Sequence, residues 1–338
     1  MRLLHLILLL AAAPAGFAVQ AQVAQLPIAA PVQAMASESG ETTLRQADLR
    51  VARVAYRLAL AGAPLCREKF PLTGLLFHHL AEYLPPDRKT VIALYRLDRG
   101  PGILSVLADS PAARAGLAAG DVLLAVNGAP FPSGAAIAAE RDRKAWRRKA
   151  ESSELMLDAA LAKGPARLKV LREGRELELV LDSLPACLGR IRLARSDQVN
   201  AFAQGKTVVM TTAMLDFVRN DDELAVVLGH ELSHDILHHP TVTDDKGLPD
   251  EGLLHALGVK PSSMWRREEE ADRFGLRLMA AAGFNLDSAI PFWRRYLGKY
   301  DWFPQIFRSH PSLPARERIA SEEIAAIRSG ASVRAAGP

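Results

Sequence analysis

His230 and His234 stand four residues apart, with Glu231 directly after the first. In an α-helix each residue turns the chain by about 100°, so His234 falls roughly 40° round from His230 and Glu231 roughly 60° beyond His234. Two imidazoles and one carboxylate therefore share a face. Neutral imidazoles bind zinc, and a carboxylate beside the ion can take a proton from the water bound to it. That set suits metal-assisted hydrolysis of a peptide bond. Two ligands do not complete a tetrahedral site, so the third decides what the spacing means.

A third histidine soon after the pair, in the spacing of the astacin and matrix-protease type, would put glycine at position 237 and histidine at 240, where this chain has Leu237 and Pro240. His238 continues the stripe of the first two on the same helix and cannot close a tetrahedron. His238 and His239 read as helix-end histidines placed for the dipole. The alternative is a glutamate from a second helix, capped by Ser262 or Ser263 and ended near Ala282 by Gly283. Glu268 and Asp272 share a face there with Gly275 and Met279. Glu268 is then the third ligand, Asp272 accepts a hydrogen bond from a ligand histidine, and Gly275 leaves clearance beside the metal. Glu269 pairs with Arg273 on a solvent face, and Glu270 points away from both. The expected site is one zinc ion per subunit on His230, His234 and Glu268, with Glu231 as the base.

These residues need elements to hold them. Asn220 caps the motif helix, Glu223 completes a capping box, and Pro240 stops the helix. Leu224 to Leu228 is nearly all apolar, so that helix is buried before it reaches the histidines. Val199 to Ala203 reads as an edge strand paired with Thr207 to Thr212 across a Gln204-Gly205 turn. Extended substrate would lie along Asn200, Ala201 and Phe202, and such backbone pairing reads extension more than side chains. Unfolded polypeptide is the substrate class this suits.

Upstream, Ser110 caps a short helix that Gly116 closes, Val122 to Val126 is an apolar strand, and Asn127-Gly128 is a turn. The string from Ser110 to Gly128 resembles the PDZ domains of bacterial exported proteases, over roughly Thr73 to Asp182. The resemblance implies binding of protein C-termini, with Gly100, Gly102 and Ile103 in the loop that holds the carboxylate. Ala135 to Lys163 is a helical stretch longer than such domains carry. Its run Arg141 to Lys149 is strongly basic and reads as a solvated helix face.

Met1 to Ala21 reads as a secretory signal peptide: Arg2, the apolar run Leu3 to Ala13, and small residues at Val19-Gln20-Ala21. An uncleaved anchor is the alternative. No other stretch approaches the length of a spanning helix, so the mature chain is expected without one. In an exported chain the two cysteines, Cys66 and Cys187, are most simply one disulfide, and otherwise two buried thiols. The net charge of +4 is too mild to argue for nucleic acid.

Asn200 to Gly205, Leu228 to His234, Glu268 to Gly275 and Ser309-His310-Pro311 occur in an order that resembles the HtpX-like zinc metallopeptidases. That family includes the CAAX prenyl proteases and soluble periplasmic quality-control peptidases. The resemblance covers Cys187 to Ile327 and implies the same third ligand, Glu268. It also implies that His310 helps stabilise the oxyanion, whereas from the residues alone His310 could cap the helix beginning near Ser312. Arg316 or Arg318 could share the oxyanion role.

The fold expected is α+β, with a signal peptide at 1–21, a flexible linker at 22–42 and a helix within 43–70 packed on the peptidase domain. A PDZ-like β-sandwich or barrel follows at 71–185, with a helical insertion at 135–163. A mainly helical zincin-type peptidase domain with a small sheet occupies 186–330, and a disordered tail 331–338. The function expected is a periplasmic zinc endopeptidase acting on unfolded or misassembled proteins, with the PDZ-like domain selecting or regulating substrate. A chaperone or adaptor that binds envelope precursors and rarely cleaves is the alternative. A third reading is a latent enzyme whose fourth metal position is plugged by its own segment, Thr241 to Pro261.

Overall fold

The computed structural model describes residues 38–83, 85–138, 143–203, 206–239, 262–300 and 311–330. The signal peptide, most of the linker, the Gln204-Gly205 turn, the segment 241–261, His310 and the tail 331–338 lie outside them. Helix α1 spans Glu38–Ala61, so it starts inside the stretch expected as linker. Its Val51, Val54, Ala55 and Leu58 are buried at i, i+3, i+4, i+7 and join the core of the C-terminal half.

Strand β1 (Phe70–Leu72) pairs antiparallel with β8 (Leu184–Ala186), so the chain between them leaves and returns at one place. That intervening unit holds β2 (Leu75–His78), α2 (Arg88–Tyr95), β3 (Gly102–Val106), α3 (Pro111–Arg114), β4 (Val122–Val126), β5 (Ala129–Pro130), α4 (Gly134–Ala138), α5 (Arg143–Leu161), β6 (Ala166–Arg172) and β7 (Arg175–Leu181). Its sheet runs β2-β3-β4-β6-β7, with β5 beside β4. In β6, Ala166, Leu168 and Val170 are buried while Arg167 and Lys169 face out, the period of a half-buried strand. Glu173 and Gly174 join β6 to β7 with φ of 50° and 78°, a turn whose twist matches the strands. Leu157 and Leu161 of α5 pack into the same core as Leu168 and Leu181, so the helical insertion roofs the sheet.

The C-terminal half holds β9 (Ile191–Ala194), β10 (Ala201–Ala203), β11 (Val208–Thr211), α6 (Thr212–Phe217), α7 (Asp221–Ile236), α8 (Ser262–Ala281), α9 (Ala289–Tyr300) and α10 (Leu313–Arg328). Its sheet runs β10-β11-β9, with β9 parallel and β10 antiparallel to the buried β11. The fold is α+β. Cys66 and Cys187 form a disulfide with Cα atoms 5.6 Å apart, just outside the β1–β8 ladder. No helix among the described residues is long and apolar enough to cross a membrane.

Candidate active site

Helix α7 begins where Asn220 accepts a hydrogen bond from the Glu223 N–H at 2.9 Å. Glu223 reaches back to the Arg219 N–H at 2.7 Å and holds Arg295 of α9, so the cap also ties two helices together. From Glu223 to Ser233 every residue is buried. Helix α8 crosses α7 at a pair of glycines. A Cβ on Gly275 would lie 2.8 Å from the carbonyl carbon of Gly229 and 2.9 Å from the His230 nitrogen. The clearance Gly275 provides is therefore for the facing backbone, not for a metal.

This crossing brings Glu268 opposite the two histidines. Nε2 of His230 and Nε2 of His234 are 3.2 Å apart, and each lies 3.5 Å from a Glu268 carboxylate oxygen. Ligands about 2.0–2.1 Å from a tetrahedral ion are separated by about 3.3–3.4 Å, so the three donors stand at the spacing a zinc-sized ion needs. Two neutral ring nitrogens facing each other at this distance repel, and a cation between them removes that cost. The donor set fits zinc: two imidazoles and one carboxylate, converging within 4.8 Å.

The outer atoms fix these orientations. His230 Nδ1 is 2.8 Å from Asp272 Oδ1, which also accepts from Arg316 Nη1 at 2.9 Å. Arg316 is buried over the Trp293 ring at 3.8 Å, and its Nη2 lies 3.4 Å from Glu268. Burial alone would lower the His230 imidazolium, but hydrogen bonds to Asp272 and Glu268 outweigh it and raise it to about 10. The pocket is thus built for positive charge, and a proton or a metal ion answers the same field. Asp235, one turn past Glu231, is pushed up to about 8 by burial and by the Glu231 charge.

Glu231 is buried and accepts the Ala203 N–H at 2.9 Å. That bond reveals the parity of the edge strand. Thr211 N–H donates to the Asn200 carbonyl at 3.0 Å, while Val208 N–H donates towards β9 at 3.0 Å. In an antiparallel pair such bonds alternate, so Asn200 and Phe202 direct their backbone groups to β11, and Ala201 and Ala203 direct theirs to the free edge. Of Asn200, Ala201 and Phe202, only Ala201 presents main-chain groups to an added strand. The correction is one of register, because a slip of one residue reverses every group.

Three further expectations change. Arg316 is committed to Asp272 and Glu268, and Arg318 pairs with Glu322 at 2.9 Å on the surface, so both guanidinium groups are already paired with carboxylates. Glu270 turns toward the end of α7, where its Oε2 lies 3.2 Å from His239 Nε2. His239 does more than end the helix, for its Nδ1 lies 3.0 Å from His234 Nδ1. A signal for His239 exists in the sequence only as its place two residues past the last helical turn. Trp293 carried no signal there beyond being apolar.

The peptidase family M48 model matches residues 188–256 and 252–324, which contain this whole donor set. Residues 188–324 form a peptidase family M48 domain. A PDZ domain model matches residues 102–139. The mitochondrial metalloendopeptidase OMA1 of Arabidopsis thaliana is 31% identical over 143 residues, covering 37% of this chain and 29% of that protein. The beta-barrel assembly-enhancing protease of Escherichia coli K12 is 25% identical over 150 residues, covering 35% of this chain and 31% of that protein. The chain thus spans less than a third of the length of these relatives. A solved HtrA3 PDZ domain aligns with 35% of this chain and 89% of that domain, at 20% identity and a TM-score of 0.25.

In the PDZ domain the residues expected to hold a peptide carboxylate lie at an interior strand. Gly100 precedes β3, and Gly102 and Ile103 are its first residues; both edges of that strand are taken, by β2 and β4. Ile103 N–H donates to Asp121 and its carbonyl accepts from Gly120, and a Cβ on Gly102 would strike His78. Both backbone groups of Ile103 are thus spent within the sheet. The outer strand is β2, entered through Thr73-Gly74, where Gly74 has φ of 79°. Beside β2 lies a cavity of about 100 Å³ lined by Leu75, Phe77, Glu154, Leu157, Arg190 and Arg192. Strand addition needs a free edge, and this is the one facing a helix. The last two of those residues belong to the M48 domain.

Proposed function

We propose that this chain is a zinc-dependent endopeptidase of the periplasm that cuts unfolded or misassembled envelope proteins, with its PDZ domain selecting or regulating what reaches the site. The observation that carries the reading is the set of three donors at tetrahedral spacing, two on one face of α7 beside the buried Glu231 and the third on α8. His230, His234 and Glu268 would hold the zinc, which when bound supplies Lewis acidity and a water of lowered pKa. Glu231 takes the proton from the nucleophilic water and delivers it to the leaving amine. The Ala203 N–H holds that carboxylate in place, and Ala201 offers the backbone pairing for an extended chain. His310 is assigned the oxyanion. An envelope substrate is supported by relatives named for β-barrel assembly, and C-terminal peptides are the ligand class proposed for β2.

The test is a comparison of the wild-type chain with Glu231→Gln. Both should bind one equivalent of zinc, and only the wild type should cleave an unfolded protein, by a margin of about 10²-fold or more. Equal cleavage by both would overturn the peptidase reading. Zinc binding with capture of unfolded chains but no cleavage would favour the chaperone or adaptor instead.

A further inference from the structure

His230 and His234 present the same nitrogen inward but are backed differently. Behind His230 stands a carboxylate, Asp272, in direct contact. Behind His234 stands His239, and behind His239 stands Glu270. We propose that His239 and Glu270 form a relay that positions His234 as a metal ligand, the counterpart of Asp272 for His230. The proposal rests on the zinc site argued above and assigns residues to its outer support.

The geometry of the helix end produces the contact. Leu237 is the last half-helical residue, and His238 adopts φ of 54°, in the left-handed region. His239 N–H then donates to the His234 carbonyl at 2.9 Å, and His238 N–H to the Asp235 carbonyl at 3.3 Å. These are the two bonds of a Schellman motif, which sets the residue two past the cap over the one three before it. That contact is usually apolar. Here two histidine rings meet edge to face with centroids 5.0 Å apart. A histidine in the left-handed region is strained where glycine is not.

Hydrogen-bond direction follows from what His234 must do. To bind a cation its Nε2 must carry a lone pair, so its Nδ1 carries the proton and donates to His239 Nδ1. His239 must then hold its own proton on Nε2, where Glu270 Oε2 accepts it at 3.2 Å. The carboxylate selects the His239 tautomer, and His239 selects that of His234. Both metal-facing rings thus end on a carboxylate, one directly and one through an imidazole. The His239 side chain is 7% exposed, whereas that of Glu270 is 50% exposed. Glu270 can therefore be replaced with little risk to folding.

The experiment measures zinc affinity of the full chain by competition with a chelator, alongside thermal melting in excess chelator. His239→Ala should weaken zinc binding about 10- to 100-fold. Glu270→Ala should weaken it by a smaller factor in the same direction, with unchanged melting. His239→Gln should restore most of the loss, because its amide can accept from His234 and donate to Glu270. Unchanged affinity in both alanine variants overturns the relay. So does a His239→Gln protein as weak as His239→Ala, since packing alone would then explain the defect. A wild-type chain that binds no zinc overturns the underlying site as well, and is distinguished by the loss of binding before any substitution.

Discussion

Asp272 and Glu268 are two buried carboxylates facing the same ring, and without a nearby cation they would repel each other. Arg316 resolves this on the protein's side, giving one guanidinium nitrogen to each while its flat face rests on Trp293. Removing one partner of a buried ion cluster leaves uncompensated charge and costs about 3–5 kcal/mol. We expect Arg316→Met to lower stability by about that amount in chelator-containing buffer, measured by urea unfolding. A midpoint equal to wild type would remove the role. Glu268 and Asp272 were legible in the sequence because two acidic residues four apart must share a helix face. The partners of those carboxylates were not, because Arg316 arrives from a helix more than forty residues further on and periodicity says nothing about which helix it meets.

At the scale of elements, α7 and α8 must approach closely enough for Glu268 to reach the histidines, and Gly229 against Gly275 is what permits it. Alanine is favoured over glycine in a helix by about 1 kcal/mol. The added carbon of Gly275→Ala, however, meets backbone atoms at 2.8 and 2.9 Å that cannot move cheaply. Overpacking costs about 1–3 kcal/mol, so the clash should win. We expect a lower melting temperature and weaker zinc binding together; a more stable variant with unchanged affinity would contradict the crossing. The start of α7 carries its own prediction. Burial would raise the Glu223 carboxyl, but Arg295 and the Arg219 N–H outweigh it and hold it below its usual value of 4.5. Its contribution is therefore complete above pH 4.5 and fades as pH falls through the lower folded value. Glu223→Gln should lose about 1–3 kcal/mol at neutral pH, and the gap in melting temperature from wild type should close on acidification. A gap that stays constant from pH 7 to pH 3 would show that charge is not involved. The sequence marked this helix and its cap, and it marked β10 as a strand. It could not set which backbone groups of β10 face outward, since alternation is the same in either register until a partner strand is seen. The PDZ loop failed for a similar reason. Gly-Pro-Gly before an apolar run suggests a strand entry, but only the sheet order shows that β2 already covers that strand.

Across the whole molecule, the PDZ domain hangs from a neck made by β1, β8 and the disulfide between Cys66 and Cys187. Beyond the neck, the two domains meet through charge. Arg192 and Arg190 of β9 and the residue before it bond to Glu154 and Asp158 of α5, and Glu154 also lies 3.5 Å from His79. Burial alone would raise the Glu154 carboxyl, but Arg192, the hydrogen bond to His79 and Arg190 together hold it well below the usual carboxylate range. The strand β9 therefore runs from the wall of the PDZ cavity into the sheet that carries Ala203. Two lone cysteines could be read as a bond, but the sequence did not reveal that they flank an inserted domain. That position sets the size of the effect. The bond closes a loop with a sequence separation of 121, long enough for the unfolded chain to lose much freedom. Removing a native disulfide of this kind costs about 2–5 kcal/mol. Replacing both cysteines by serine should lower the unfolding free energy of the zinc-loaded protein by that amount, read from its urea titration, and reductant should do the same to the wild type but not to the variant. Because the three metal donors lie on α7 and α8, away from the neck, zinc affinity of the folded variant should be unchanged. A midpoint that does not move with reductant would mean that the β1–β8 ladder and α1 packing alone hold the neck closed.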